Sequence, residues 1–274
     1  MNKGGGKARY LAAFLLSSLM MAGAAQAATC GNDAAGFERW KTSFSQEAAA
    51  NGIGSRALDA LARTTYASKT IAADRGQRSF KLSLNEFMQK RGSATIVAQG
   101  KKLKAQHASL LARIEQQYGV PAGPLIAIWG METGFGRFLG NQNTISAVAT
   151  LAYDCRRSEF FTGHLYAALQ LIDRGILSPD AVGAAHGEIG QTQFLPGSVV
   201  QYGVDGDRDG RIDLVRSTAD ALASTANFLR AHGWRPGAGY QEGEPNFVAI
   251  QGWNAATVYQ QAIALMARDI DNAR

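Results

Sequence analysis

A chain of 274 residues with 46% hydrophobic, 9% aromatic and 18% charged content has enough apolar side chains to bury one or two sizeable cores, which excludes a disordered or fibrous protein. The formal net charge is +6, but three of the 28 basic residues and none of the 22 acids fall in the first 27 positions, leaving +3 beyond them. That balance is too mild to select nucleic acid and permits only weak attraction to a polyanionic cell wall or membrane surface.

Lys3, Lys7 and Arg9 precede an apolar run from Tyr10 to Gly23, and "AAQAA" follows with small residues that a signal peptidase accepts. Residues 1–27 therefore read as an export signal cut after Ala27, the other reading being an uncleaved anchor, for which the run is short. Cys30 in "AATC" lacks the Leu and Gly of a lipoprotein acceptor site. Export makes a disulfide permissible, and Cys30 and Cys155 are the two cysteines of the chain; they are expected to pair, although in a cytosolic protein they would more often be free.

From there the dominant period is helical. Phe37, Trp40 and Phe44 form one stripe. Helices are expected at Ser55 to Arg63 and at Ser83 to Lys90, the second behind an S-x-x-E capping box. Leu103, His107, Leu110, Leu111, Ile114 and Tyr118 form a longer stripe ending at "GVP". Ser158 to Asp173 and Thr218 to His232 read as helices; "SPDAVG" offers a Ser cap with Pro in the first turn, and "LPGSVVQY" a short helix. The expectation is a mainly α protein with a small β or irregular element between Gly233 and Gln251.

"LIAIWGMETGFGRFLG" contains one carboxylate, Glu132, with no other acid within a turn on either side. If the helix starts after Pro121, then Leu125, Ile128, Trp129 and Glu132 fall at i, i+3, i+4 and i+7, on an apolar stripe near the C-terminal end. Lost solvation and the negative end of the helix dipole both raise the pKa of such a carboxyl. That suits a general acid able to protonate a glycosidic oxygen at neutral pH. Gly134 and Gly136 would let a sugar approach the backbone. A structural Glu paired with Arg137 or with helix-end amides is the alternative reading of the same residues.

Other chemistries find less support. His107 lies on an apolar stripe, and His164, His186 and His232 are scattered without H-E-x-x-H spacing for zinc. There is no G-x-S-x-G elbow. "GFGRFLG" looks superficially like a dinucleotide loop but has one residue too many before its last Gly and follows a helical pattern rather than a strand.

"DGDRDGRIDLVR", residues 205–216, places Asp205, Asp207 and Asp209 at positions 1, 3 and 5 of an EF-hand loop, Gly210 at the sharp turn and the Arg211 carbonyl at 7. Position 12 is Arg216 rather than a bidentate Glu, so Asp213 or Asp220 would have to close a structural calcium site. Sodium could occupy a weak version, and a solvated acidic turn is the alternative. No cofactor is required for the chemistry.

The segments "GVPAGPLIAIWGMETGFGRFLG", "TISAVATLAYDCRRSEFF", "GEIGQTQFLPGSVVQYGVDGDRDGRIDL", "ALASTANFLRAHGW" and "WNAATVYQQAI" together resemble the lytic murein transglycosylases of the membrane-bound B type. The likeness runs from about Phe37 to the C-terminus. It implies a lysozyme-like α core with additional helical segments, in a catalytic region spanning 28–274, acting on peptidoglycan glycan strands between N-acetylmuramic acid and N-acetylglucosamine in the periplasm of a Gram-negative bacterium. The protein would be soluble or peripherally attached, with no transmembrane segment after signal cleavage; a cell-wall machinery that recruits it is unknown. In the E-T-x-x-G-R motif the family's catalytic Glu matches Glu132. A single Glu then serves twice: it protonates the leaving oxygen and, as carboxylate, takes the proton of the muramic acid C6 hydroxyl, giving a 1,6-anhydro sugar, with the substrate's 2-acetamido group stabilising the positive charge. Two carboxylates would otherwise be needed.

Gln193 matches the family's substrate-contacting Gln, and Asn254 a family Asn near the cleft. Tyr153, Phe160 and Trp129 are candidate sugar-stacking aromatics that could equally be core. Relatives also close the acidic loop over a longer span, which points to Asp220. The chain departs from the family at Ala184 and Ala256, where a Ser is common, at Phe160, where Tyr is frequent, and at Glu188, which replaces a small residue and raises the prospect of a second acid and ordinary hydrolysis. A non-catalytic glycan-binding or scaffold protein is the rival from another class.

Overall fold

The N-terminal cap of the first long helix shows how this chain starts: Asp33 accepts the Ala35 amide at 2.9 Å and opens a 3-10 turn, Ala34–Gly36, that runs into α1 (Phe37–Ala50). The computed structural model describes residues 28–76 and 82–272, so the expected export signal lies outside the described residues. α2 (Ser55–Ala62), α3 (Ser68–Arg75) and α4 (Leu84–Arg91) follow, and the capping box of α4 is complete: the Ser83 hydroxyl accepts the Glu86 amide while Glu86 accepts the Ser83 amide at 2.9 Å.

The expected stripe from Leu103 to Tyr118 divides at His107. α5 (Ser93–Gln106) ends there and α6 (Ala108–Tyr118) begins, because His107 leaves helical geometry at φ −103°, ψ 21°. Its ring meets Trp129 edge-on, with centroids 5.9 Å apart. The sequence pattern is continuous, and a tertiary contact accompanies the break.

α7 (Ala122–Thr133) is the centre of the molecule. Every residue from Ala122 to Met131 is buried, so this helix is apolar all round and has no stripe at all. α13 (Thr257–Asp271) lies along it, and Gly123 permits the approach: a Cβ there would stand 2.3 Å from the Ala267 carbonyl oxygen. α5 packs on the same pair, its Gly100 against Ile126 and Ile270.

α8 (Thr144–Tyr153) and α9 (Ser158–Asp173) pack against each other beside α1 to α3. Cys30 and Cys155 are bonded, with Cα atoms 5.0 Å apart, and tie the N-terminal segment to the end of α8. Around that bridge Phe37, Trp40, Tyr66 and Tyr153 make an aromatic cluster with centroid separations from 5.6 to 6.3 Å.

Between Gly233 and Asn246 the irregular form of the expected element is found, and the β pairing lies elsewhere. β1 (Gln142–Asn143) pairs antiparallel with β2 (Val182–Gly183), Gln142 opposite Gly183. "SPDAVG" consequently starts no helix: the Ser178 hydroxyl accepts the Asp180 amide in a local turn, and the Ala181 carbonyl is taken by the Thr144 amide. Between Gly233 and Asn246 the chain is irregular, then forms α12 (Phe247–Trp253). α10 (Pro196–Tyr202) and α11 (Thr218–Ala231) complete the fold, with Pro196 in the first turn of α10 and the Ser217 hydroxyl capping α11. Among the described residues no helix is long and apolar enough to cross a membrane.

Candidate active site

Glu132 stands one residue before the C-terminus of α7, which Gly134 ends in the left-handed region at φ 56°. Its Oε1 accepts two hydrogen bonds, from Trp253 Nε1 at 3.0 Å and from the Tyr259 hydroxyl at 2.7 Å. Both donors are neutral and held from behind. The Trp253 ring is wedged edge-on against Phe194 at 5.3 Å and Phe228 at 5.0 Å; Tyr259 is buried and packs against Phe87, with the Arg91 guanidinium over its ring.

The electrostatics follow from that setting. Burial pushes the Glu132 pKa up, the Trp253 and Tyr259 hydrogen bonds pull it down, the Glu188 charge raises it and Arg91 lowers it; the net direction is up. Burial and the Glu132 charge hold the Tyr259 phenol well above its ordinary range, so it stays a donor. With both lone pairs of Oε1 engaged, the acid proton belongs on Oε2.

Gln193 comes from a tight loop closed by mutual backbone bonds between Ile189 and Phe194 at 2.7 and 3.0 Å. Its Nε2 donates to the Gly190 carbonyl at 2.8 Å and reaches the Leu139 carbonyl, in the segment after Glu132, at 3.5 Å. Phe135, Gln193 and Arg208 are non-glycine residues with φ of 66°, 57° and 65°. One lies after Glu132, one in the Gln193 loop and one in the acidic loop, and such strained backbone tends to gather at functional sites.

Glu188 is bound on both oxygens by one residue: Oε2 accepts the His186 amide and Oε1 meets His186 Nδ1, each at 2.9 Å. Burial raises its pKa, but the His186 hydrogen bonds and charge outweigh that and the net direction is down. It is a fixed carboxylate that acts on Glu132 and on Arg157 by charge. Arg157 lies over the ring of Phe160, which is 51% exposed at the start of α9.

In the acidic loop the carboxylates of Asp205, Asp207 and Asp209 converge, with oxygens within 4.8 Å of one another. Asp205 accepts the Asp209 and Gly210 amides, Asp209 accepts the Arg211 amide, and Asp207 accepts the Ser217 hydroxyl at 2.6 Å. Asp213 and Asp220 stay out of the cluster. Asp213 accepts the Val215 and Arg216 amides, and buried Asp220 accepts the Gly206 amide at 2.8 Å and the Asp213 amide at 2.7 Å. The donor set is hard oxygen throughout and fits a calcium-like cation.

The transglycosylase SLT domain model matches residues 36–244. The chain belongs to that family. Over 134 residues it is 39% identical to the membrane-bound lytic murein transglycosylase B of Escherichia coli (strain K12), a match that takes in 48% of this chain and 37% of that protein's length. The structure of SltB3 from Pseudomonas aeruginosa in complex with NAG-anhNAM-pentapeptide is similar with a TM-score of 0.80 at 31% identity, covering 86% of this chain and 80% of that one. The Escherichia coli lytic transglycosylase Slt35 in complex with calcium has a TM-score of 0.75 at 24% identity, covering 89% and 96%, and shares the fold.

Within this SLT-family chain two expected contact residues turn inward and a third is held by local hydrogen bonds. Tyr153 and Trp129 are 3% and 4% exposed: Tyr153 belongs to the cluster beside the disulfide, and Trp129 packs edge-on against Phe135. Neither offers a face to a sugar, which corrects the stacking role expected of them. Asn254 is occupied in the turn between α12 and α13, its Oδ1 accepting the Ala256 amide and its carbonyl accepting Gln260 Nε2. Sequence reasoning missed Trp253 and Tyr259, although both flank that Asn in "WNAATVY"; an indole and a phenol six positions apart were the available signal.

Proposed function

We propose that this chain cleaves the β-1,4 bond between N-acetylmuramic acid and N-acetylglucosamine in peptidoglycan glycan strands and closes a 1,6-anhydromuramic acid in the same reaction. The observation that carries this reading is Glu132: one partly buried carboxyl with a raised pKa, two neutral donors on Oε1 and Oε2 left for substrate. Oε2 gives its proton to the glycosidic oxygen as the C1–O bond breaks. The resulting carboxylate, steadied by Trp253 and Tyr259, takes the proton of the C6 hydroxyl as that oxygen bonds to C1, so proton and bonds balance without water. The substrate's 2-acetamido group would stabilise the charge at C1. Gln193, strained and anchored by its Nε2, keeps Oε1 for a sugar hydroxyl or amide.

Hydrolysis would need a second carboxylate to activate water. His186 holds Glu188 as a carboxylate of lowered pKa, hence a weaker base, and Asp154 is buried beside the disulfide and paired with Arg75 at 2.6 Å and with the Arg156 amide. The likeness to SltB3, with its bound NAG-anhNAM-pentapeptide, lends support. Residues 28–274 would act in the periplasm once 1–27 is removed. Asp205, Asp207, Asp209 and the Arg211 carbonyl would hold calcium as a structural ion, a reading supported by the convergence of the three carboxylates and by the calcium complex of Slt35. Mass spectrometry of muropeptides released from purified sacculi tests the proposal: 1,6-anhydro ends are expected, and reducing ends made by water would overturn it.

A further inference from the structure

The loop that carries Gln193 is joined on one side to the helix of Glu132 and on the other to the acidic loop, and one buried residue makes both joins. Gln191 is 6% exposed. Its carbonyl accepts the Thr133 hydroxyl at 2.6 Å, and that same hydroxyl accepts the Gly136 amide at 2.8 Å, which holds the turn immediately after Glu132. On the other side the Gln191 amide donates to the Leu214 carbonyl at 2.9 Å, its Nε2 donates to the Val215 carbonyl at 3.3 Å, and its Oε1 accepts the Thr218 hydroxyl at 3.3 Å.

Those three partners are the exit of the acidic loop and the start of α11. Between Val215 and Thr218 stands Ser217, whose hydroxyl donates to Asp207 and caps α11 by accepting the Asp220 amide at 3.1 Å. The path is short and its middle is dry: Asp207 to Ser217 and Thr218, then Gln191, then Thr133, which is 1% exposed and adjacent to Glu132. Gly136 packs directly on the Gln191 side chain, where a Cβ would come within 2.9 Å of Oε1. Buried polar groups joined in this way have few alternative partners, so a shift at one end must be met at the other or leave a donor unpaired.

We infer that Gln191 is a positioning residue that fastens the C-terminal turn of the Glu132 helix to the exit of the acidic loop, so that the shape of that loop sets where Glu132 and Gln193 stand. The kinetic part of its test rests on the transglycosylase reading; the structural part does not. Gln191→Ala removes the two side-chain bonds and leaves the backbone ones. Thr133→Val is nearly isosteric and cuts the other side of the join, and Thr133→Ser restores the hydroxyl.

Amide hydrogen exchange on the full chain without metal should quicken at residues 134–137 by about tenfold in Gln191→Ala and in Thr133→Val, with Thr133→Ser recovering most of the loss. On sacculi, kcat should fall about tenfold in the same two variants while KM stays within about twofold. Asp207→Ala, which breaks the Ser217 contact, should quicken exchange at 134–137 in the wild-type background and add nothing in Gln191→Ala. Faster exchange confined to residues 214–218, or independent effects of Asp207→Ala and Gln191→Ala, would overturn the inference. Should the wild type release no anhydro products, the transglycosylase reading falls and the exchange pattern still decides this one.

Discussion

Two groups of acids in this chain show the same functional group prepared for opposite tasks. Glu132 is partly buried, receives neutral donors on one oxygen and is pushed toward its protonated form. Asp205, Asp207 and Asp209 stand at the surface, accept backbone amides and the Ser217 hydroxyl, and Asp207 is held below the usual carboxylate range, chiefly by that hydroxyl. A carboxyl in the first setting keeps a proton to give; carboxylates in the second keep charge to share with a cation. The residue type is nearly the same, and desolvation decides the difference.

Glu132→Gln breaks the first half of this contrast outright. The amide keeps the shape and can still meet Trp253 and Tyr259 but cannot shuttle a proton, so muropeptide release should fall by at least ~10²-fold to 10⁴-fold while strand binding persists in sacculus pull-down. Solubilisation at the wild-type rate would make the acid structural.

The acidic loop is tested by the opposite addition. Calcium at about a hundred times its Kd should stabilise by about 2.7 kcal/mol, a rise of roughly 5 to 10 °C in melting temperature for a chain of this size. Asp205→Ala or Asp209→Ala should abolish that response. Equal melting curves in calcium and in chelator, with bound metal excluded by elemental analysis, would count against the site.

Tyr259→Phe sharpens the comparison by removing one donor from Oε1. That bond favours the carboxylate, so its loss should raise the Glu132 pKa further and move the alkaline limb of the activity profile to higher pH, while the loss of orientation should reduce turnover about tenfold. An unchanged profile would mean that the phenol is a packing group only.

Glu188→Gln should have the smallest effect and the opposite sign. The Glu188 charge raises the Glu132 pKa, so its removal lowers it; the protonated acid is then lost at lower pH, and the alkaline limb should move down without a change of product from 1,6-anhydro to reducing ends. A switch to reducing ends in the wild type would return Glu188 to consideration as a second acid.

Most helices were legible because local rules act on contiguous residues. The capping box at Ser83 and Glu86, the Pro in the first turn of α10 and the periodicities of α9 and α11 involve partners a few positions apart, and the two-cysteine count pointed to the bridge that is formed. The break at His107 was not legible, since it goes with a contact to Trp129 rather than with any change in the local pattern. The β ribbon lies outside the region expected for it for the same reason: Gln142–Asn143 and Val182–Gly183 carry too few residues to show alternation, and only the approach of the two segments pairs them.

By itself the sequence determined that one isolated acid follows an apolar helix and that three aspartates alternate before a glycine, because both are matters of spacing along the chain. Only the tertiary structure decided that Trp253 and Tyr259, more than a hundred residues away, share one oxygen of that acid, that Tyr153 and Trp129 belong to the core, and that Gln191 lies between the two acidic regions. Hydrogen bonds and desolvation act over a few ångströms of space, and a distance along the chain does not fix a distance through the fold.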